Sequence, residues 1–421
     1  MGTVSVVERA RDAAGAGRWQ EVKLLLVPAL AEREADAWAL LLLGEAYSRL
    51  DDPDPARAVA ERALDAFRAR DDRPGMMRAE NLLGIILFDA GELDAAWVRF
   101  NAALALAGEL GADRMFADVA NNLGMVSDLQ GERARAVECY QVALCSYRET
   151  GNVQGEAQTS HNLGISHREM ERWEEAEHCF SRAAELARAS GDARLQAFAM
   201  VARAELVLRR GDAATADRMV RAALLRFDVG TSVFGLAEVQ KVRGAIARQR
   251  GELEEARAHL DRAVELGELH GVPLLDAEVR VERGTVLCLL GEAVAGADDL
   301  ERAIGTFERL GASRRAERAR ALLVDPTLTN AKRGARRSAP LRVHPSPSLP
   351  GTEPYPPPSA PTPPVPLPSV SPASTSAALI PSVGLAAPSV APPVSSRPFP
   401  TPPLASCALC SSCAMLVPPL E

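Results

Sequence analysis

Aromatic side chains are scarce in this 421-residue chain: Phe, Trp and Tyr together make up only 4% of it. Any core must therefore be built mainly from Ala, Leu and Val. Proline is almost missing from the first 325 residues, which hold five (Pro28, Pro53, Pro55, Pro74, Pro273), while 25 of the 30 lie between Pro326 and Pro419. Proline breaks helices and is confined to the margins of sheets, so the first stretch can carry long regular elements and the second cannot. No run of 18 or more apolar residues occurs, so nothing is expected to span a membrane as a helix. Met1–Arg11 is charged early and lacks the apolar stretch of a signal peptide. The seven cysteines are odd in number, four in the body and three near the end. Without a leader they read as reduced thiols in a cytoplasmic protein. Basic charge is short as well. Residues 1–325 hold 42 Lys and Arg against 54 Asp and Glu, and residues 326–421 hold 6 against 2. An acidic body of this kind argues against general nucleic-acid binding, which depends on neutralising phosphates.

What is present in abundance is self-similarity. Gly44, Gly84, Gly124, Gly164, Ala204, Gly244 and Gly284 recur every 40 residues. Ala56, Ala96, Ala136, Ala176, Ala216, Ala256 and Gly296 form a second series at that step, and Ala63, Ala103, Ala143, Ala183, Ala223, Ala263 and Ala303 a third. Phe100, Tyr140, Phe180, Val220, Leu260 and Leu300 form a fourth, of large apolar residues. Glycines divide each period in two. Gly91, Gly131, Gly211, Gly251 and Gly291 mark one boundary, and Gly111, Gly151, Gly191, Gly271 and Gly311 the other. Between them the apolar spacing is helical, as in Leu82, Leu83, Ile86 and Leu87. The boundary glycines suit the left-handed position just past a helix C-terminus. The acids after them (Glu92, Glu132, Asp212, Glu252, Glu292) favour the next helix N-terminus.

Each period thus reads as a helical hairpin that cannot bury its own apolar face and must stack on neighbours. The expected architecture is all-α: an α-solenoid, a right-handed superhelix of antiparallel hairpins, followed by a disordered Pro-rich tail. Its parts are a solenoid over 1–325 (a short N-terminal hairpin 3–35, seven hairpins 36–311, a closing helix 312–324) and a Pro/Ser/Ala-rich tail 326–421. In the closing helix, Arg314, Arg315, Arg318 and Arg320 are expected to keep an outer face wet.

Leu43-Gly44, Leu83-Gly84, Leu123-Gly124 and Leu163-Gly164, with the two alanine series, resemble tetratricopeptide repeats. The step of 40 is similar to the longer-helix branch of that family, seen in kinesin light chain and in peptide-pheromone receptors of Gram-positive bacteria. The resemblance covers about 290 residues and implies a non-catalytic scaffold that binds a protein or peptide in its concave groove, where the first helix of each hairpin faces inward. A ligand-switched sensor that changes curvature on binding a short signal peptide is the alternative. An assembly subunit using the convex face is a third. No effector module is expected before residue 36, which leaves room for one hairpin only.

Counted from the Leu-Gly pair, the inward positions are Arg78, Asn81, Ile85 and Asp89, then Asp118, Asn121, Asn122, Met125 and Asp128, then Gln158, His161, Asn162, Ile165 and Arg168. An amide is both donor and acceptor and can hold an extended peptide backbone. In the resemblance, an Asn just before the Leu-Gly pair does this, and Asn122 and Asn162 match it. Arg203, Arg243 and Arg283 stand where Leu43, Leu83, Leu123 and Leu163 stand in earlier hairpins. They could clamp an acidic partner, although pairing with Glu205, Glu238, Glu278 or Glu282 nearby is the simpler expectation.

Catalysis, cofactor and metal binding find no support. His167, His178 and Cys179 are too few ligands for structural zinc, and Cys139 and Cys179 suit small buried hydrophobes. The tail cannot bury enough to order itself. It carries a basic hinge at 332–342, an R-x-x-P-x-x-P run at Arg397–Pro403, and Cys407, Cys410 and Cys413, which resemble part of an iron–sulfur motif without a fourth ligand. A monomer, or weak self-association, is expected.

Overall fold

The computed structural model describes residues 5–31, 36–226, 233–270 and 273–325. The tail, its basic hinge, its R-x-x-P-x-x-P run and its three cysteines lie outside them. The described residues form seventeen helices and no strand. α1 (Val6–Gly15) and α2 (Trp19–Ala31) come first. Then follow α3 (Ala37–Arg49), α4 (Pro53–Ala69), α5 (Arg73–Asp89), α6 (Leu93–Leu110), α7 (Asp113–Gln130) and α8 (Arg133–Glu149). α9 (Val153–Glu169), α10 (Trp173–Ala189), α11 (Ala193–Arg209), α12 (Ala213–Leu224), α13 (Val233–Arg250) and α14 (Leu253–His270) continue the series. α15 (Pro273–Leu290), α16 (Ala293–Arg309) and α17 (Ser313–Leu323) complete it.

Each helix packs on the one before it, and from α3 to α15 each odd-numbered helix also touches the next odd one. No two even helices approach as extensively among the described residues. The odd helices are therefore the crowded inner layer and the even helices the spread outer layer of an α-solenoid, the fold that the repeat period implies.

The small-residue series explain how the layers meet. The thirteen alanines of the two alanine series are completely buried. The glycine series meets the large-residue series inside each hairpin. A Cβ on Gly84 would strike the Phe100 ring, one on Gly164 the Phe180 ring, and one on Gly244 the Leu260 side chain. The one break in the glycine series, Ala204, faces the smallest member of the other, Val220. Both are fully buried, so the extra methyl is offset by a smaller knob, as close packing at constant volume requires.

The turns follow the boundary glycines, and Gly91 (φ 79°) and Gly311 (φ 66°) are left-handed there. Where the period has lost its glycine the conformation persists: Asp51, Asp71 and Glu171 also have positive φ. Glu171 lacks the short side chain that eases this geometry for Asp, and the left-handed region costs an ordinary residue roughly 1–2 kcal/mol. We expect Glu171→Gly to raise stability by about 1 kcal/mol, read as a higher midpoint in thermal melting. A lower midpoint would show that the strain is compensated elsewhere.

One superhelical turn brings the far end of the stack back to its beginning. Gly311 packs on Leu93, and Gly91 lies against the backbone of Arg309 and Leu310, so close that a Cβ there would collide. A single buried apolar cluster joins Leu93, Ala96 and Phe100 to Phe307, Ala312, Ala316 and Ala319. The α16–α17 turn thereby sits on the α5–α6 turn.

Candidate binding surface on the inner helices

The inner layer is polar, and its two halves differ. In α5, α7 and α9 the amides face one another across the helix contacts. Asn122 Nδ2 donates to Asn81 Oδ1 (3.3 Å), and Asn162 Nδ2 donates to Asn121 Oδ1 (3.3 Å). Thr159 Oγ1 also donates to Asn121 Oδ1 (3.0 Å), and Gln158 Nε2 to Asn162 Oδ1 (3.4 Å). Asn121 Nδ2 reaches Met125 Sδ at 3.7 Å. Asn81, Asn121 and Asn122 are buried. Sequence position alone suggested amides open to a groove. Geometry shows a ladder that stitches three inner helices together, with hydrogen-bonding capacity left at one end. Asn81 Nδ2 and Asn122 Oδ1 make no hydrogen bond among the described residues, and neither is sealed from solvent. Exchanging O and N in both amides would again leave one donor and one acceptor.

The same end of the inner layer carries Glu45 on α3 and Arg78 and Asp89 on α5. The Arg78 guanidinium lies 5.7 Å from the Trp38 ring centre. Burial pushes the Glu45 carboxyl up to about 7 against the pull of Arg78 and Arg49. Burial, with Asp51 nearby, pushes Asp89 up to about 6. Ile85, Met125 and Ile165 are half-buried. Asp128 serves the frame instead: it accepts from Ser166 Oγ (2.7 Å), Tyr140 Oη (3.1 Å) and Arg133 Nη1 (2.7 Å).

His161 is buried, with its ring centre 5.7 Å from that of Phe180 and no partner for Nδ1. Burial drives its pKa down to about 4, and Arg168 adds to this. An unfolded histidine takes its proton near pH 6.5, the folded one only near 4. Between those values the unfolded chain binds a proton that the folded chain refuses, so stability falls as pH drops through this window. Glu45 acts with opposite sign. We expect His161→Gln to lose less stability than the parent between pH 7 and pH 5 in urea titrations. Equal losses would show that His161 does not carry the effect.

The other half of the inner layer is filled by its own charges. Arg168 Nη1 donates to Glu205 Oε2 (2.7 Å) and Arg209 Nη2 to Glu169 Oε1 (3.1 Å), which ties α9 to α11. Lys241 Nζ lies 2.9 Å from both Glu238 and Glu278, tying α13 to α15. Arg315 on α17 pairs with the same Glu278, and Arg318 Nη1 donates to Glu169 Oε2 (3.1 Å), returning to α9. Burial opposes ionisation of Glu169 and Glu278. Arg168 and Arg209 outweigh it for the first and Lys241 and Arg315 for the second, holding both near 2. This circuit corrects the reading of the closing helix for Arg315, which is half-buried against Glu278 because superhelical closure places acids beside it. Arg314, Arg318 and Arg320 stay exposed, as expected, although Arg318 also reaches Glu169. Glu169 and Lys241 were not singled out from sequence. The signal available was the 40-residue step from Glu169 to Arg209 and from Glu238 to Glu278.

Arg203, Arg243 and Arg283 reach toward the outer layer. Arg203 pairs with Glu177 of α10. Arg283 Nε and Nη2 donate to Asp299 (2.6 and 2.8 Å) and Nη1 to Asp261 (3.1 Å). Arg243 has no ion pair among the described residues, and its charge lowers the pKa of His259, after burial. None of the three meets Glu205, Glu238, Glu278 or Glu282, the partners that their position suggested. Cys139, Cys145, Cys179 and Cys288 are buried and form no disulfide among the described residues. Among the described residues no cluster of His, Cys, Asp and Glu is placed to hold a metal ion. No described helix is long and apolar enough to cross a membrane.

Comparison with known proteins agrees with the repeat reading. Tetratricopeptide-repeat family models match residues 38–68, 116–150 and 155–224. The apo form of RapI superposes with a TM-score of 0.53 at 14% identity, over 62% of this chain and 96% of that one. A Rap protein complexed with competence and sporulation factor gives 0.51 at 14% identity, over 78% and 97%. NprR in complex with its cognate peptide NprX gives 0.51 at 13% identity, over 76% and 97%. At such identity these are likenesses of fold. No curated protein matches the chain.

Proposed function

We propose that the chain is a binding scaffold that captures an extended peptide, or an extended segment of a partner protein, on α3, α5 and α7. The observation that carries this reading is the unused donor and acceptor on Asn81 and Asn122, side by side on the inner layer. One residue of an extended peptide presents its N–H and its C=O to the same side and matches them, and the backbone contact leaves the peptide side chains to Ile85 and Met125 and to Arg78, Glu45 and Asp89. The circuit of ion pairs fills the other half and confines the peptide to this one. Likeness to NprR and to the Rap protein, whose structures hold a cognate peptide and competence and sporulation factor, supports a peptide-sized ligand.

A random-peptide display library panned on the full chain tests this. Enriched peptides should bind Asn81→Ala/Asn122→Ala about five- to tenfold more weakly in fluorescence anisotropy, since peptide groups left unpaired cost about 1 kcal/mol. Unchanged affinity in the double variant would reject the site.

A switched variant of this reading rests on the ion-pair circuit. Because α17 is tied to α9 by Arg318 and Glu169, a ligand that spreads the inner helices would open the superhelix. Small-angle scattering with and without an enriched peptide separates this sensor from a static scaffold, in which the radius of gyration stays constant.

A further inference from the structure

Superhelical closure creates a cavity that neither half of the stack has alone. It measures about 480 Å³ and lies between the α7–α8 turn, the end of α9 and the start of α17. Five arginines line it (Arg133, Arg135, Arg314, Arg315 and Arg318), against two acids, Glu132 and Glu169. Asp128 and Glu278, behind the wall, take Arg133 and Arg315. Positive charge is still in excess, and Arg314 has no ion pair among the described residues. The Arg314 chain lies against Gly131, where any Cβ would strike it, so its guanidinium is held at this seam. Arg133 engages Asp128 through Nη1 only. Arg135 rests on the Trp97 ring, 4.0 Å from its centre, pairs with Glu132 (2.8 Å) and donates to Ser127 and Gln130.

The placement of these arginines runs against helix electrostatics. A helix N-terminus favours acids, and α4, α6, α10 and α14 carry Asp54, Asp94, Glu174 with Glu175, and Glu254 with Glu255 in their first turns. α8, beyond its Glu132 N-cap, carries Arg133 and Arg135 in its first turn instead, and α17 carries Arg314 and Arg315. Five guanidiniums thus line one cavity, four of them each paired with one acid and Arg314 with none, an arrangement that an anion would relieve.

We propose that this cavity is a binding site for a compact polyphosphate anion, one carrying at least two adjacent phosphates, which bridges Arg133 on α8 to Arg314 and Arg318 on α17. Occupancy and closure are then coupled, because the ligand binds the closed superhelix and not the open one. The site is separate from the amide pair, and its test does not involve a peptide.

The experiment is calorimetric titration of the full chain with inorganic pyrophosphate and with ADP near physiological ionic strength, with sulfate as control. Saturable binding is expected, weakened roughly tenfold or more by Arg314→Glu and by Arg133→Gln. Arg262→Glu, an exposed arginine far from the seam, should leave it unchanged. Circular dichroism confirms that each variant is folded, and Arg314, being exposed, can be replaced without disturbing the core. Tighter binding of ADP than of pyrophosphate identifies a nucleotide as the source of the phosphates; equal binding identifies the phosphate pair alone. Absence of saturable binding by either probe, sulfate binding as strong as theirs, or an equal loss in Arg262→Glu would each overturn the proposal.

Discussion

Replacing Asp299 by Ala is expected to destabilise the folded chain by about 3–5 kcal/mol, the usual cost of removing one partner from a buried ion pair. Asp299 is 2% exposed and holds two guanidiniums at once: Arg283 through two hydrogen bonds and Arg280 through a third at 3.1 Å. Arg280 keeps Asp276 and Glu268 after the change, but Arg283 keeps only Asp261, which is largely solvent-facing. Both residues of the central pair depart from the apolar members of the repeat. Arg283, like Arg203 and Arg243, stands where Leu43, Leu83, Leu123 and Leu163 stand, and Asp299 stands in a series of Val59, Arg99, Cys139, Cys179, Met219 and His259. Each departure offsets the other. The double variant Arg283→Leu/Asp299→Val, which returns both positions to the repeat, should therefore regain most of the loss. Urea unfolding of the single and double variants measures it. A loss below about 1 kcal/mol for Asp299→Ala would mean that the arginines reach water without it.

This pair shows where the repeat is legible and where it is not. Leu-Gly pairs and alanines fix helix position, because each small residue admits a neighbouring backbone at a set height, and the same contact recurs in every hairpin. Arg203, Arg243 and Arg283 were visible as exceptions. Their partners were not, since Glu177 and Asp299 belong to outer helices and contact depends on the angle between layers rather than on the period. The amide stripe was visible too, at Asn81, Asn121, Asn122 and Asn162. Its internal pairing could not be read, because a one-residue difference in helix rotation decides whether Asn122 meets solvent or Asn81. Closure of the superhelix was hidden most deeply. Curvature accumulates from small rotations between successive hairpins, and nothing local to Arg318 announces Glu169, 149 residues away.

Gly124 offers the second large effect. A Cβ there would lie 2.6 Å from Cδ1 of Tyr140 and 2.9 Å from its Cζ. The ring has little room to retreat: Tyr140 is 1% exposed, and its hydroxyl donates to Asp128 Oδ2 at 3.1 Å. Asp128 lies on the same helix as Gly124, one turn on, so the helix that would push the ring also holds its far end. Overpacking costs roughly 1–3 kcal/mol, and a ring tethered at both ends belongs at the top of that range. Alanine returns about 1 kcal/mol of helix propensity over glycine. Gly124→Ala is therefore expected to destabilise by about 2 kcal/mol, seen as a lower denaturation midpoint with an unchanged urea slope. The fifth hairpin supplies the control, since Ala204 faces Val220 there without strain. Gly124→Ala/Tyr140→Val imports that solution. It should be more stable than the sum of its single changes predicts, because Tyr140→Val alone leaves a cavity that the alanine methyl helps to fill. Simple additivity of the two changes would mean that the ring moves aside, and that the glycine series reflects helix spacing rather than the contact with the large-residue series.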